Sequence, residues 1–281
     1  MRQVIRKRLF LVVFICLLVI MLFPVWAVFV GSFMGKEELY VNVRGIITAA
    51  EGEYARWSLL PKQPALWSYI ELLLGTPEYF VTFWNSVKVT VISVVGQIVV
   101  AVLAAWGISI YPLRWKKSVI ALYIILMMMP FQVFMLPQYF VLQNLRLYDT
   151  HWAVILPMIF SPFAVFLLVQ NFKTMPKEMV EAARLEGADE WTILWKIGIP
   201  HAKAGIITVM LLCFIECWGM VEQPGAFIEN KQLMLLSEYL PHINMSDAGF
   251  ALAASALALI PCILLVLLCA EYFEEGLGMK Q

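Results

Sequence analysis
The chain has 281 residues, 62% of them hydrophobic and only 14% charged, with a formal net charge of zero. Soluble domains carry about 25% charged residues, so this composition describes an integral membrane protein. Balanced charge excludes a basic nucleic-acid surface, and without a GxxxxGK[ST] motif the chain has no P-loop of its own for ATP hydrolysis.

Arg2, Arg6, Lys7 and Arg8 precede an apolar run over 9–30. A signal peptide shares the basic start, but its apolar core is only about 7–15 residues. A bilayer span needs about 20, so the run reads as an uncleaved first helix. Residues 31–84 form the longest polar excursion and read as a small outer cap. Within it, Ala65–Leu74 carries Trp67 and Tyr69 and predicts a short helix at the membrane surface. The second span is 86–110, with Gly96 and Gly107 open to close helix packing. After the basic turn 111–117 the third span runs over 118–136, bent at Pro130, and 137–150 reads as a short outer turn. The fourth span, 152–170, contains Pro157 and Pro162. Neighbouring helices can satisfy the carbonyls such prolines free. The fifth and sixth spans are 204–221 and 250–270. The expected fold is all-α, with six transmembrane helices in one permease domain.

The polar segment 171–203 interrupts this pattern. Lys177, Glu178, Glu181 and Arg184 give a helix a wet side, and Met179, Val180 and Ala183 a packable one. Pro176 suits its first turn. Gly187 marks a break, Asp189 caps a second helix, and Pro200 stops it.

Lysine and arginine orient the chain. With the N-terminus inside, the inner segments hold Arg2, Arg6, Lys7, Arg8, Arg114, Lys116, Lys117, Lys173, Lys177, Arg184, Lys196, Lys203 and Lys280. The outer segments hold only Lys36, Arg44, Arg56, Lys62, Arg146 and Lys231. Both termini and the 171–203 loop are therefore expected in the cytoplasm.

The pattern Glu181-Ala182-Ala183, Gly187, Ile197-Gly198-Ile199-Pro200 resembles the cytoplasmic coupling loop of ABC importer permeases, with Ile199 where that loop has leucine. Further motifs are similar to the MalG-like carbohydrate branch. They include Asn85-Ser86, Met127-Met128-Met129-Pro130, Leu136-Pro137-Gln138-Tyr139, Leu147-Tyr148-Asp149-Thr150, Ile155-Leu156-Pro157 and Phe166–Phe172. The likeness covers about 85–200 and then fades. Trp218-Gly219 and Gln223-Pro224-Gly225 depart from that branch, and the tail Glu271–Leu277 lacks its basic residue.

The resemblance implies a type I importer fold in a prokaryotic inner or plasma membrane. It implies a second, non-identical permease subunit, two ATPase subunits and an extracytoplasmic substrate-binding protein. ATP and Mg would bind the partner ATPase, so no cofactor is expected on this chain and no enzymatic role. Glu181, Ala182, Ala183, Gly187, Ile197 and Pro200 would couple to the ATPase, and the cargo would be a sugar or oligosaccharide.

A secondary transporter would more often show ionisable groups mid-membrane and inverted repeats, and a non-transporting scaffold is the third reading. His151, His201 and His242 lie far apart and read as boundary residues rather than a catalytic or metal site. The five cysteines lie in apolar runs and read as small buried hydrophobes. Glu216 stands in the apolar run Leu211–Val221, with Glu222 and Gln223 at its outer end. Two readings stay open. One is a substrate pathway, with Trp218 offering an aromatic face to a sugar and Glu216 accepting hydroxyls. The other is an interhelical or subunit-interface hydrogen bond. The outer loop Gln223–Gly249 is long, and its polar stretch Glu229, Asn230, Lys231 and Gln232 is a candidate binding-protein contact. A lid packed on its own subunit is the alternative.

Overall fold
A computed structural model describes residues 2–47, 58–243 and 247–276. Among the described residues all regular elements are helical, apart from one isolated antiparallel bridge between Met34 and Pro64. The chain divides into two compact units, Met1–Phe80 with Tyr239–Ile260, and Val81–Glu238 with Pro261–Gln281.

In the first unit, α1 spans Arg2–Ser32 and α2 spans Lys36–Ile47, with Glu37 and Glu38 in its first turn, where a helix dipole favours acids. The Glu38 carboxylate accepts hydrogen bonds from the backbone N–H groups of Lys62 (3.1 Å) and Gln63 (3.4 Å) and from the Ser58 hydroxyl (3.3 Å). These donors, led by Lys62, hold its carboxyl below the ordinary value. The expected surface helix is a short α3, Trp67–Ile70, widening into a π-type turn over Glu71–Gly75. Trp67 stays exposed with the Lys36 ammonium 5.1 Å from its ring. Val30, Met34 and Leu39 form a small core with Ala248 and Leu252.

Helix α4 runs over Pro77–Ile110. It begins inside the expected 31–84 cap, because Pro77 and Glu78 make a favourable first turn. Gly96 lies against Ile159, where a β-carbon would stand 2.7 Å from Cγ1, but Gly107 has nothing within 4 Å. The close packing expected of both glycines is met only by Gly96.

The third span differs most from expectation. It is two helices, α5 over Lys116–Met128 and α6 over Phe131–Asn144, bent by 97° at Met129-Pro130. A residue before proline is pushed out of the α region, and Met129 is extended accordingly. Residues 137–144, expected in an outer turn, continue α6 through Pro137. Next come α7, Trp152–Ile159, and α8, Pro162–Phe172, separated at Phe160-Ser161 by the same pre-proline effect. The hairpin helices α9, Lys177–Leu185, α10, Glu190–Ile193, and α11, Ile199–His201, lead into α12, Lys203–Trp218, after a 75° bend. Then come α13, Glu222–Phe227, α14, Leu236–Tyr239, and the long α15, Ala248–Gly276.

Four runs are long and apolar enough to cross a membrane: Arg6–Ser32, Pro77–Ile110, Trp152–Phe172 and Ala248–Tyr272. Counting each bent pair as one span brings the total among the described residues to six. The main core of the second unit joins Ala101, Trp106, Leu168, Phe172, Val180, Ile193 and Cys213.

Candidate functional site
The hairpin between α8 and α12 is built by its turn chemistry. Gly187 has φ +83°, a conformation that costs an L side chain about 1–2 kcal/mol. The backbone N–H of Ala188 donates to Ala183 (3.1 Å) and that of Gly187 to Arg184 (3.0 Å), closing a Schellman motif that ends α9. Asp189 is extended and starts α10, and its carboxylate takes the Thr192 hydroxyl. Pro200 does not stop the run as expected but sits inside α11; it has no N–H for the carbonyl four residues back, and the turn before it, Leu194–Gly198, is of π type.

One face of this hairpin is buried. Val180, Ile193 and Leu194 pack into the core with Trp106, Phe172 and Met175, and Ala183 and Ile197 lie half-buried against it. Trp106 meets Phe172 edge-on at 5.5 Å. The opposite face is open. Glu181, Ala182, Gly187 and Pro200 are exposed, beside Leu185 at 90%, Trp191 at 60% and Trp195 at 64% exposure. These large apolar groups lie uncovered on an otherwise polar loop.

Sequence reasoning missed the tie that holds α9 to the turn after α4. Arg184 Nε donates to Glu190 at 2.8 Å, and its guanidinium lies 5.8 Å from the Tyr111 ring centroid. Arg184 holds the Glu190 carboxyl below the ordinary carboxylate value. No local spacing links Tyr111 to Arg184.

A cleft of about 960 Å³ opens in the second unit among α5, α6, the α7–α8 break and the end of α12. Glu216, Glu222 and Gln223 all line it, together with Gln138, Ser161, Phe131, Phe134, Phe160 and Phe163. Trp218 does not line it, which corrects the expectation that it offers its face to a ligand. It is 8% exposed, stacked on Phe214 at 5.7 Å and met edge-on by Phe83 at 5.8 Å. The reason is helical geometry, since residues two apart on a helix point in different directions. Glu216 is exposed on the cleft wall, and none of the described residues donates a hydrogen bond to it. Glu222 accepts from Gln132 Nε2 at 3.3 Å. The contribution of α6 was not foreseen, because 137–144 read as a turn.

The stretch 228–236 is pinned by residues whose motifs carried the family resemblance. Asn85 Nδ2 donates to the carbonyls of Gln232 (2.8 Å) and Met234 (3.2 Å), and Ser86 Oγ accepts from the N–H of Leu236 (2.8 Å). Asp149, at φ 56°, accepts the N–H groups of Glu229 and Asn230, both at 2.8 Å. Tyr148 donates to Glu229 at 2.9 Å, which pushes the phenol up to about 12. The His151 ring lies 3.1 Å from the Leu233 carbonyl, and burial pushes its imidazole down. The backbone is thus held to its own subunit, while Glu229, Asn230, Lys231 and Gln232 stay exposed.

No group of His, Cys, Asp and Glu able to hold a metal ion occurs among the described residues.

The family model for binding-protein-dependent transport system inner membrane components matches residues 97–278. The arabinooligosaccharides transport system permease protein AraQ of Bacillus subtilis (strain 168) is 27% identical over 272 residues, covering 94% of this chain and 91% of that protein. The sn-glycerol-3-phosphate transport system permease protein UgpE of Brucella abortus (strain 2308) is 28% identical over 271 residues, 92% of each. The lactose transport system permease protein LacG of Rhizobium radiobacter is 26% identical over 216 residues, 76% of this chain and 79% of that one. In a crystal structure of a bacterial ABC transporter that imports the acidic polysaccharide alginate, one chain superposes with a TM-score of 0.76 at 22% identity. That superposition covers 95% of this chain and 98% of the other, so the fold is shared. With apolar spans and a family match from the middle of α4 into the tail, the chain belongs to the family of binding-protein-dependent transport system inner membrane components.

Proposed function
We propose that this chain is one permease subunit of an ATP-driven importer for a carbohydrate. A second, non-identical permease subunit would supply the other half of the pathway, and two ATPase subunits would bind and hydrolyse ATP with Mg. Names of similar permeases, for arabinooligosaccharides and lactose, support a carbohydrate cargo.

The observation that carries the reading is the hairpin 177–201, which has one face buried in the core and the other exposed, mixing charged side chains with the large apolar Leu185, Trp191 and Trp195. A cytoplasmic ATPase would seat on Glu181, Ala182, Leu185 and Gly187. When the ATPase pair closes on ATP, it would displace the hairpin as a rigid body. Because Val180, Ile193 and Leu194 pack against Trp106 and Phe172, the displacement would pass to α4 and α8 without dissipating in a loose loop. The cleft at Glu216, Glu222 and Gln223 would form this subunit's share of the cargo pathway. Both termini would face the cytoplasm, and Glu229–Gln232 would meet the binding protein outside.

Reconstitution with the cognate ATPase, partner permease and binding protein tests this. ATP-dependent uptake is expected, and Leu185→Asp should abolish it while membrane insertion stays normal. Uptake without ATP, or full uptake with Leu185→Asp, would overturn the proposal.

A further inference from the structure
We infer that the α5–α8–α12 cleft selects by charge, admitting uncharged, hydroxyl-rich cargo and working against anionic cargo; this rests on the pathway reading above. Among the described residues, the charged side chains lining the cleft are Glu216 and Glu222, with no Lys, Arg or His beside them. Both carboxylates are exposed on the cleft wall of this chain. An ionised carboxylate only accepts hydrogen bonds. It therefore suits a hydroxyl, which donates, and opposes a phosphate or uronate, which brings a second negative charge against an apolar wall where the described lining of this subunit offers no cation to meet it.

The other polar groups point to the same class. Gln138 and Gln223 line the cleft, and the Oε1 atom of each is buried and accepts nothing from the described residues. An amide has donors and an acceptor on one planar group, which matches the donor-and-acceptor pattern of vicinal hydroxyls. Ser161 adds a hydroxyl at the α7–α8 break. Phe131, Phe134, Phe160 and Phe163 supply apolar walls for the C–H faces of a sugar ring. The volume lies at the upper end of the usual range for ligand sites, about 300–1,000 Å³.

The test places a cysteine at Ser161 in a chain whose five native cysteines are replaced, within the assembled transporter in lipid nanodiscs. Three methanethiosulfonates of similar size are compared: a sulfonate (anionic), a hydroxyethyl (neutral) and a trimethylammonium (cationic) reagent. Rates are normalised to a free thiol and measured both without nucleotide and in the ATP–vanadate-trapped state. The anionic reagent should react at least tenfold more slowly than the neutral one, and Glu216→Gln with Glu222→Gln should close that gap. Assembly of the Ser161→Cys chain into the transporter, seen as one monodisperse complex, establishes that the variant folds, and Gln223→Cys should give the same order of rates. Equal rates for anionic and neutral reagents, or a gap that survives both Gln substitutions, would overturn the charge selection but leave the pathway reading intact. Inertness to all three reagents in both states, at both positions, would overturn the pathway reading and this inference with it. A second arm identifies by mass spectrometry the cargo released from the binding protein that stimulates this transporter. A neutral oligosaccharide is expected, and a phosphorylated, uronate-bearing or cationic cargo would overturn the assignment.

Discussion

A β-carbon on Gly198 would stand 2.5 Å from Cζ3 of Trp106. The hairpin backbone therefore rests directly on an indole ring that is itself 5% exposed and wedged edge-on against Phe172. A rigid ring cannot turn aside as a flexible side chain would. Gly198→Ala should cost about 1–3 kcal/mol by overpacking. Gly107→Ala, on α4 with nothing within 4 Å, should be neutral or stabilise by up to about 1 kcal/mol through helix propensity. Thermal unfolding of the purified subunit in one detergent compares the two, and equal melting temperatures would refute the contact.

The Schellman turn at Gly187 separates folding from docking. Gly187→Ala should lose about 1 kcal/mol or slightly more, because φ +83° disfavours any β-carbon. Gly187→Trp should in addition block a close-fitting partner, leaving membrane insertion normal and uncoupling ATP hydrolysis from uptake. Co-purification of the ATPase and uptake, measured together, check this; normal values of both for the Trp variant would show that no partner seats there.

The Arg184–Glu190 pair is half-exposed, so its direct contribution to stability should be small, about 0.2–1 kcal/mol. Glu190 is held below its ordinary value, so the pair's contribution is fully present above about pH 4.5 and fades as pH falls through the lower folded value. A double-mutant cycle of Arg184→Met and Glu190→Gln should therefore show coupling at pH 7 that declines as the pH falls below about 4.5. Tyr111→Leu removes the third member and should lower the ratio of transport to ATP hydrolysis more than it lowers the melting temperature. The reverse ranking would make the tie purely structural.

Asp149 holds two backbone N–H groups of the stretch 228–236, so Asp149→Ala leaves both without their acceptor. Binding-protein stimulation of ATPase activity should fall severalfold, with basal activity unchanged, and Asp149→Asn should restore part of it because an amide oxygen still accepts. Replacing Glu229–Gln232 with a Gly-Ser tetrapeptide should have the same effect. Unaltered stimulation over a full binding-protein titration would assign this stretch to a lid alone.

Composition and local pattern were enough for the membrane class, the apolar runs and the polar hairpin, because each depends on neighbours in sequence. Twenty apolar residues have one stable environment, and Gly187 and Pro200 act on the backbone within a few residues of themselves. Pro130 announced a break for the same reason, but its 97° angle depends on what α6 packs against. Continuation of α6 through Pro137 is likewise a tertiary effect, since only surrounding helices make that proline tolerable. Which way a side chain points also lies beyond local pattern. Glu216 and Trp218 are two residues apart on a largely apolar helix, and packing of Phe83 and Phe214 decided that the carboxylate faces the cleft and the indole the core. The joining of Tyr111 to Arg184, and of Asn85 and Asp149 to the stretch 228–236, spans 73, 147 and 80 residues respectively. Contacts across such separations leave no periodic trace in a single sequence, so only the folded chain could reveal them.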